Sequence, residues 1–183
     1  EDFREEAPWV RRLEPAAVDE ILAAVGRVER KQTPLPEIGK ADFVLGPAAT
    51  RLVATMLDTL VNGVGFVQVR GLPVARLSRR QAAIAFLGFG SHFGLRSPQN
   101  EDGHVLGHVK DIGKPVGKAS TRNYQTSAAI GFHSDSCDFV GLMCLKTAKS
   151  GGESRIVSSA HVYNEMLKRR PDLLAELDTD FYW

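Results

Sequence analysis

Gly131-Phe132-His133-Ser134-Asp135-Ser136-Cys137 stands between a loop rich in Gly, Ser, Thr and Lys and the most apolar run of the chain, Phe139 to Leu145. In an extended backbone, residues two apart project from the same face, so the His133 imidazole and the Asp135 carboxylate can reach one cation. A nitrogen and an oxygen donor on one segment suit a divalent metal of intermediate softness, and Fe(II) held by two His and one carboxylate is the leading case. The tripeptide alone is weak evidence. From the chain's own His and Asp content, an H-x-D arises by chance roughly 0.3 times. The bland reading is a strand-end His beside a solvated Asp.

A metal on this segment needs a third ligand. His92, His104, His108 and His161 are the remaining histidines. His161 falls in the first turn of an expected helix, and His92 closes another, where a cationic imidazole suits the dipole. His104 and His108 are four apart, but Gly103 and Gly107 argue against the helix that would align them. Cys137 shares a face with His133 and Asp135 if the extension continues, and His-Asp-Cys would favour Zn and a metal-activated water. Its alternative is a small buried hydrophobe. No P-loop and no G-x-S-x-G occurs, and Gly88-Phe89-Gly90 lies within or at the end of a helix, so it is no nucleotide fingerprint.

Composition narrows the classes. The 183 residues suffice for one core, and a single domain is expected over 1–183. A formal net charge of +1 gives no reason to invoke nucleic acid or a membrane surface. The partner expected is a small molecule, with a homo-oligomer also open. Two cysteines, Cys137 and Cys144, are too few for a disulfide framework and read as reduced thiols, and no signal peptide or membrane-length apolar run is seen, so a cytoplasmic location is expected. The absence of a starting Met and the aromatic end Phe181-Tyr182-Trp183 suggest part of something longer.

Apolar residues at helical spacing predict a helix over Glu14–Gln32 (Val18, Ile21, Leu22, Val25, Val28). A second runs from Pro47 to Gly63 through Leu52, Met56, Leu57, Leu60 and Val61. Ser78-Arg79-Arg80-Gln81 has the form of a capping box opening a third helix to about His92. Ser159 is expected to cap a helix ending at Lys168-Arg169-Arg170 before Pro171, with a short helical turn after it. Strands are expected at Gly65–Gly71, Val105–Asp111, Phe139–Ala148 (buried) and Ser154–Ser158, with a turn at Lys149–Gly152. Between Ile112 and Ile130 lies a long loop; Tyr124 and Gln125 near its end are candidates to face a ligand, with a solvated loop as the bland alternative. Lys114, Lys118 and Arg122 along it hint at an anionic substrate.

The string Phe132-His133-Ser134-Asp135, the apolar run after it, the turn Gly151-Gly152-Glu153-Ser154 and the following Ser158-Ser159-Ala160-His161-Val162-Tyr163-Asn164-Glu165-Met166-Leu167 together resemble the taurine dioxygenase family of Fe(II)- and 2-oxoglutarate-dependent oxygenases. Gly65 to Pro73 resembles its early strand, so the likeness covers roughly Val64 to Leu174. The resemblance implies an α+β chain built on a double-stranded β-helix, the cupin-like jelly roll, with N-terminal helices. It also implies that the chain is the N-terminal part of such a catalytic domain. His133 and Asp135 would be iron ligands, and Ser154 would contact a carboxylate of 2-oxoglutarate. The implied reaction is oxidation, usually hydroxylation, of a small molecule with release of succinate and CO2. The family's distal His and the Arg that binds 2-oxoglutarate fall beyond Trp183, so the chain as given is expected to be catalytically incomplete. The competing class is a non-catalytic or truncated jelly-roll module that binds a ligand without turnover.

Overall fold

Proline at the first helical position opens α1 (Pro15–Lys31), where its missing N–H costs nothing, and Arg30 and Lys31 close it at the end that favours cations. Gln32 then takes the left-handed conformation, φ 54°, its N–H returning to Glu29 O, and the chain leaves toward Pro34. In this computed structural model residues 7, 9–116 and 123–180 are described, and they fall into two units divided after Leu145. Lys118 and Arg122 lie outside the described residues.

In the first unit, α1 packs on α2 (Pro47–Val61) and α3 (Arg79–Gly90). The buried stripe of α1 is Ala17, Ile21, Ala24, Val25 and Val28, rotated from the expected one so that small alanines face inward and Val18 stays at the edge. Alanine lets a neighbouring backbone approach, which a count of large apolar residues does not register. On α2 the buried residues are Ala49, Val53 and Met56, while Val61, expected in the stripe, is 66% exposed. The core is completed by Ile38 and Phe43 from the α1–α2 connection and by Ile84 and Ala85 of α3. Ile38, Phe43 and Ile84 are fully buried, each worth about 1.5–3 kcal/mol over an exposed position.

Two caps fix these helices. Ser78 Oγ accepts from Gln81 N at 3.2 Å while Gln81 Oε1 accepts from Ser78 N at 2.9 Å, the reciprocal box that the sequence predicts. The start of α2 has no such side chain of its own, its N-cap being Gly46. Glu20 of α1 supplies the acceptors instead, taking Ala48 N at 3.1 Å and Ala49 N at 2.7 Å. A carboxylate here satisfies two orphan donors and meets the positive end of the helix dipole. Glu20→Ala is expected to cost about 1–2 kcal/mol, read as a lower urea midpoint with an unchanged slope.

The expected strand at Gly65–Gly71 forms over a shorter span, β2 (Gln68–Arg70). It pairs in parallel with β1 (Val10–Arg12), which the sequence does not announce, in the register Val10↔Gln68, Arg11↔Val69 and Arg12↔Arg70. Three residues are too few to show a period.

The strands expected at Val105–Asp111, Phe139–Ala148 and Ser154–Ser158 do not form among the described residues, and the run Phe139–Leu145 is not buried: Leu142 is 76% exposed and Val140 58%. A strand requires a neighbour for its main-chain groups, and no described segment supplies a ladder to any of these three. The first has a partial substitute. Lys110 N donates to Tyr124 O and Ile112 N to Gln125 O, both at 3.0 Å. The expected turn carries Gly151 and Gly152 at φ 69° and 78°, a conformation only glycine adopts freely.

The second unit holds α4 (Ser159–Arg169) and α5 (Pro171–Leu177). The cap of α4 is Ser158, whose Oγ accepts from His161 N at 3.2 Å, one residue before the expected Ser159. Arg170 joins the two helices and grips Asp172 through Nε and Nη2 at 2.9 and 2.7 Å, which holds the Asp172 carboxyl below its usual range. None of the described helices is long and apolar enough to cross a membrane.

Candidate metal centre

His133 and Asp135 sit in the first unit on an irregular, open stretch, and their side chains turn to the same side. His133 Nε2 lies 3.8 Å from Asp135 Oδ1, with the two side chains 56% and 51% exposed. A single cation with bonds of about 2.1 Å spans up to ~4.2 Å between donors, so one ion can touch both atoms. The other ring nitrogen, Nδ1, lies 2.9 Å from Gly131 O. A carbonyl can only accept, so Nδ1 carries a proton, and Nε2 is the ring nitrogen turned to the carboxylate. A proton or a metal cation placed between Nε2 and Oδ1 is attracted by both, and an imidazole oriented through its far nitrogen by a carbonyl is the usual support of a metal-binding histidine.

The other candidates are dispersed. Among the described residues no group of three or more His, Cys, Asp or Glu is close enough together to hold a metal. Cys137 is exposed, not buried, and its Sγ lies 3.5 Å from Phe139 O, so the His-Asp-Cys zinc set does not assemble. His92 Nε2 donates to Phe43 O at 2.9 Å and tethers the end of α3 to the core. His104 belongs to the 99–104 turn, where its N–H donates to Asn100 Oδ1 at 3.0 Å and Gln99 N donates to its carbonyl at 2.7 Å.

Tyr124 and Gln125 are half-buried in a short 3₁₀ turn, and Gln125 Oε1 accepts from Lys114 Nζ at 3.1 Å. Lys114, read from the sequence as a substrate cation, is thereby tied to the turn. Ser154 is exposed in the second unit, between the glycine turn and α4. The contact that sequence reasoning missed is the Gly131 carbonyl. It is a main-chain group, and no residue type marks it.

The profile of the family described as Taurine catabolism dioxygenase TauD, TfdA family matches residues 31–183. The chain belongs to that family, whose members have a cupin-like fold. Among curated proteins it is similar to FR-33289 synthase of Streptomyces rubellomurinus, 32% identical over 177 residues that cover 91% of this chain and 49% of that protein. It is also similar to the taurine hydroxylase-like protein SAT17 of Stachybotrys chartarum, 28% identical over 196 residues that cover all of this chain and 49% of that one. The chain thus spans about half the length of these relatives.

Proposed function

We propose that this chain carries part of the active site of an Fe(II)- and 2-oxoglutarate-dependent dioxygenase that oxidises, by hydroxylation, a small molecule. The balance is R–H, O2 and 2-oxoglutarate giving R–OH, succinate and CO2. The observation that carries the reading is His133 Nε2 facing the Asp135 carboxylate across 3.8 Å, in a chain of the TauD family. His133 Nε2 and the Asp135 carboxylate would hold the iron, a donor set of mixed nitrogen and oxygen that suits Fe(II). When bound, iron with 2-oxoglutarate supplies the activation of O2 that no amino-acid side chain provides.

The protein's own groups hold and orient. Gly131 O accepts the Nδ1 proton of His133, which leaves Nε2 as the ring nitrogen turned to the metal. The carboxylate of Asp135 supplies negative charge that offsets part of the ion's own. Ser154 is assigned to a carboxylate of 2-oxoglutarate through its hydroxyl. Tyr124 and Gln125 are assigned to the substrate side, where the Lys114 contact fixes the Gln125 amide.

The test is anaerobic addition of Fe(II) and 2-oxoglutarate to the intact protein. A weak visible metal-to-ligand charge-transfer band, absent with either component alone, is the expected result. Silence in that region from protein shown by equilibrium dialysis to bind the metal would end this reading in favour of a binding module without turnover.

A further inference from the structure

A cleft of about 380 Å³ lies between the turn at Gly39-Lys40 and the segment leaving α3, lined by Gly39, Lys40, Ser91, Gly94, Leu95 and Arg96. None of these residues belongs to the candidate metal centre. Gly94, at φ 153°, turns the chain off the end of α3. Leu95, next to it, projects fully into solvent at the rim.

The charge of this cleft is one-sided. Of the lining residues, Lys40 and Arg96 are the cations, and neither pairs with a carboxylate among the described residues. The acid beside Lys40 is engaged elsewhere: Asp42 Oδ2 accepts from Gly39 N at 3.1 Å, and Oδ1 lies 4.0 Å from Lys31 Nζ. Arg96 is anchored through Nη2, which donates to Pro36 O at 3.1 Å. Its Nη1 is sealed from water and has no hydrogen-bond partner. A buried guanidinium donor without an acceptor is uncommon in folded proteins, and an absent anion is one of the few explanations it has.

The surroundings narrow the ligand further. A second cleft of about 380 Å³ shares Lys40 and runs along α2 past Val53 and Leu57 to His92. His92 Nε2 is already committed to Phe43 O, and Val44, Leu45, Val53, Ala54 and Leu57 make most of the wall of this extension apolar. Ser91 likewise spends its hydroxyl proton on Gly88 O at 2.6 Å.

The geometry points to a binding site for a small organic oxyanion at Lys40 and Arg96, its charged head between ammonium and guanidinium and a short apolar stem along Leu95 or α2. A carboxylate and a phosphate share the chemistry that this site recognises, two or more acceptor oxygens on one centre. Because Nη1 is sealed in this structure, its engagement with the head would require the guanidinium to turn about the Pro36 anchor.

Butyrate and inorganic phosphate distinguish the two sources. Each is titrated into the ¹⁵N-labelled protein in EDTA, at constant ionic strength made up with chloride, so that any metal-dependent binding is removed. Saturable shifts of the Gly39, Lys40 and Gly94 amides are expected, with butyrate the tighter if the stem contributes and phosphate the tighter if charge alone decides. Lys40 is exposed, so Lys40→Met leaves the fold intact, and it is expected to weaken binding about tenfold, the loss of one charge-assisted contact. Arg96→Lys should retain part of the affinity, and His133→Ala all of it. Absence of a saturable shift with both anions overturns the site, and so does binding that Lys40→Met leaves unchanged.

Discussion

A His133→Ala protein is expected to retain its fold and lose its iron, with Fe(II) affinity falling at least about 100-fold and 2-oxoglutarate turnover falling to background. Loss of a partner behind a ligand already costs roughly 10–100-fold, so loss of the ligand itself sets the floor above that range. The side chain is 56% exposed and its polar contacts are to Gly131 O and Asp135, so removing it opens no core cavity. Asp135→Ala should behave alike in metal binding. Asp135→Glu separates charge from reach: a longer carboxylate keeps the sign but displaces the oxygen from its 3.8 Å position opposite Nε2. Equilibrium dialysis with Fe(II), alongside 2-oxoglutarate consumption, reads both effects. Unchanged metal affinity in the His133 variant would refute the assignment, whatever the activity.

Gly88→Ala is expected to destabilise the first unit by about 2–3 kcal/mol, a large effect for one methyl group. A Cβ at position 88 would overlap the Phe43 ring at Cδ2 and Cγ and come within 2.7 Å of Cε2. Alanine gains up to ~1 kcal/mol of helix propensity over glycine at an interior position, and a surface site would therefore be stabilised by the change. Here the sign reverses because the ring has nowhere to go. Phe43 is fully buried against α3 at Gly88, and Ile38, Ile84 and Ala85 belong to the same cluster. Phe43→Leu alone should cost roughly 1 kcal/mol, and the double variant should cost less than the two singles together. Urea unfolding of the four proteins measures the coupling, and strict additivity would show that positions 43 and 88 do not compete for the same volume.

Helices were readable where local signals agreed. Pro47, the Ser78-Gln81 box and the basic end of α4 each act within one turn, so their outcome does not depend on the rest of the chain. What escaped was set at a distance. Glu20 caps a helix that begins 27 residues later, and β1 is defined by its pairing with β2 across an intervening pair of helices. Ser158 and Ser159 compete for one cap, and only backbone geometry separates them. The segments expected as strands have suitable composition, and β-propensity expresses itself only against a neighbour. At the candidate centre the i, i+2 spacing of His133 and Asp135 was legible because two residues suffice to define it. Further ligands are a matter of tertiary placement, and none joins them among the described residues.

The hydrogen bond from His133 Nδ1 to Gly131 O has a practical corollary. A carbonyl is carried by every amino acid, so no codon change at position 131 deletes it, and an alanine scan would pass over it without a signal. Reaching it requires editing the polymer itself, for example an ester or thioamide linkage placed by chemical ligation. The tautomer of the imidazole is in this sense encrypted in the path of the backbone, out of reach of ordinary mutagenesis.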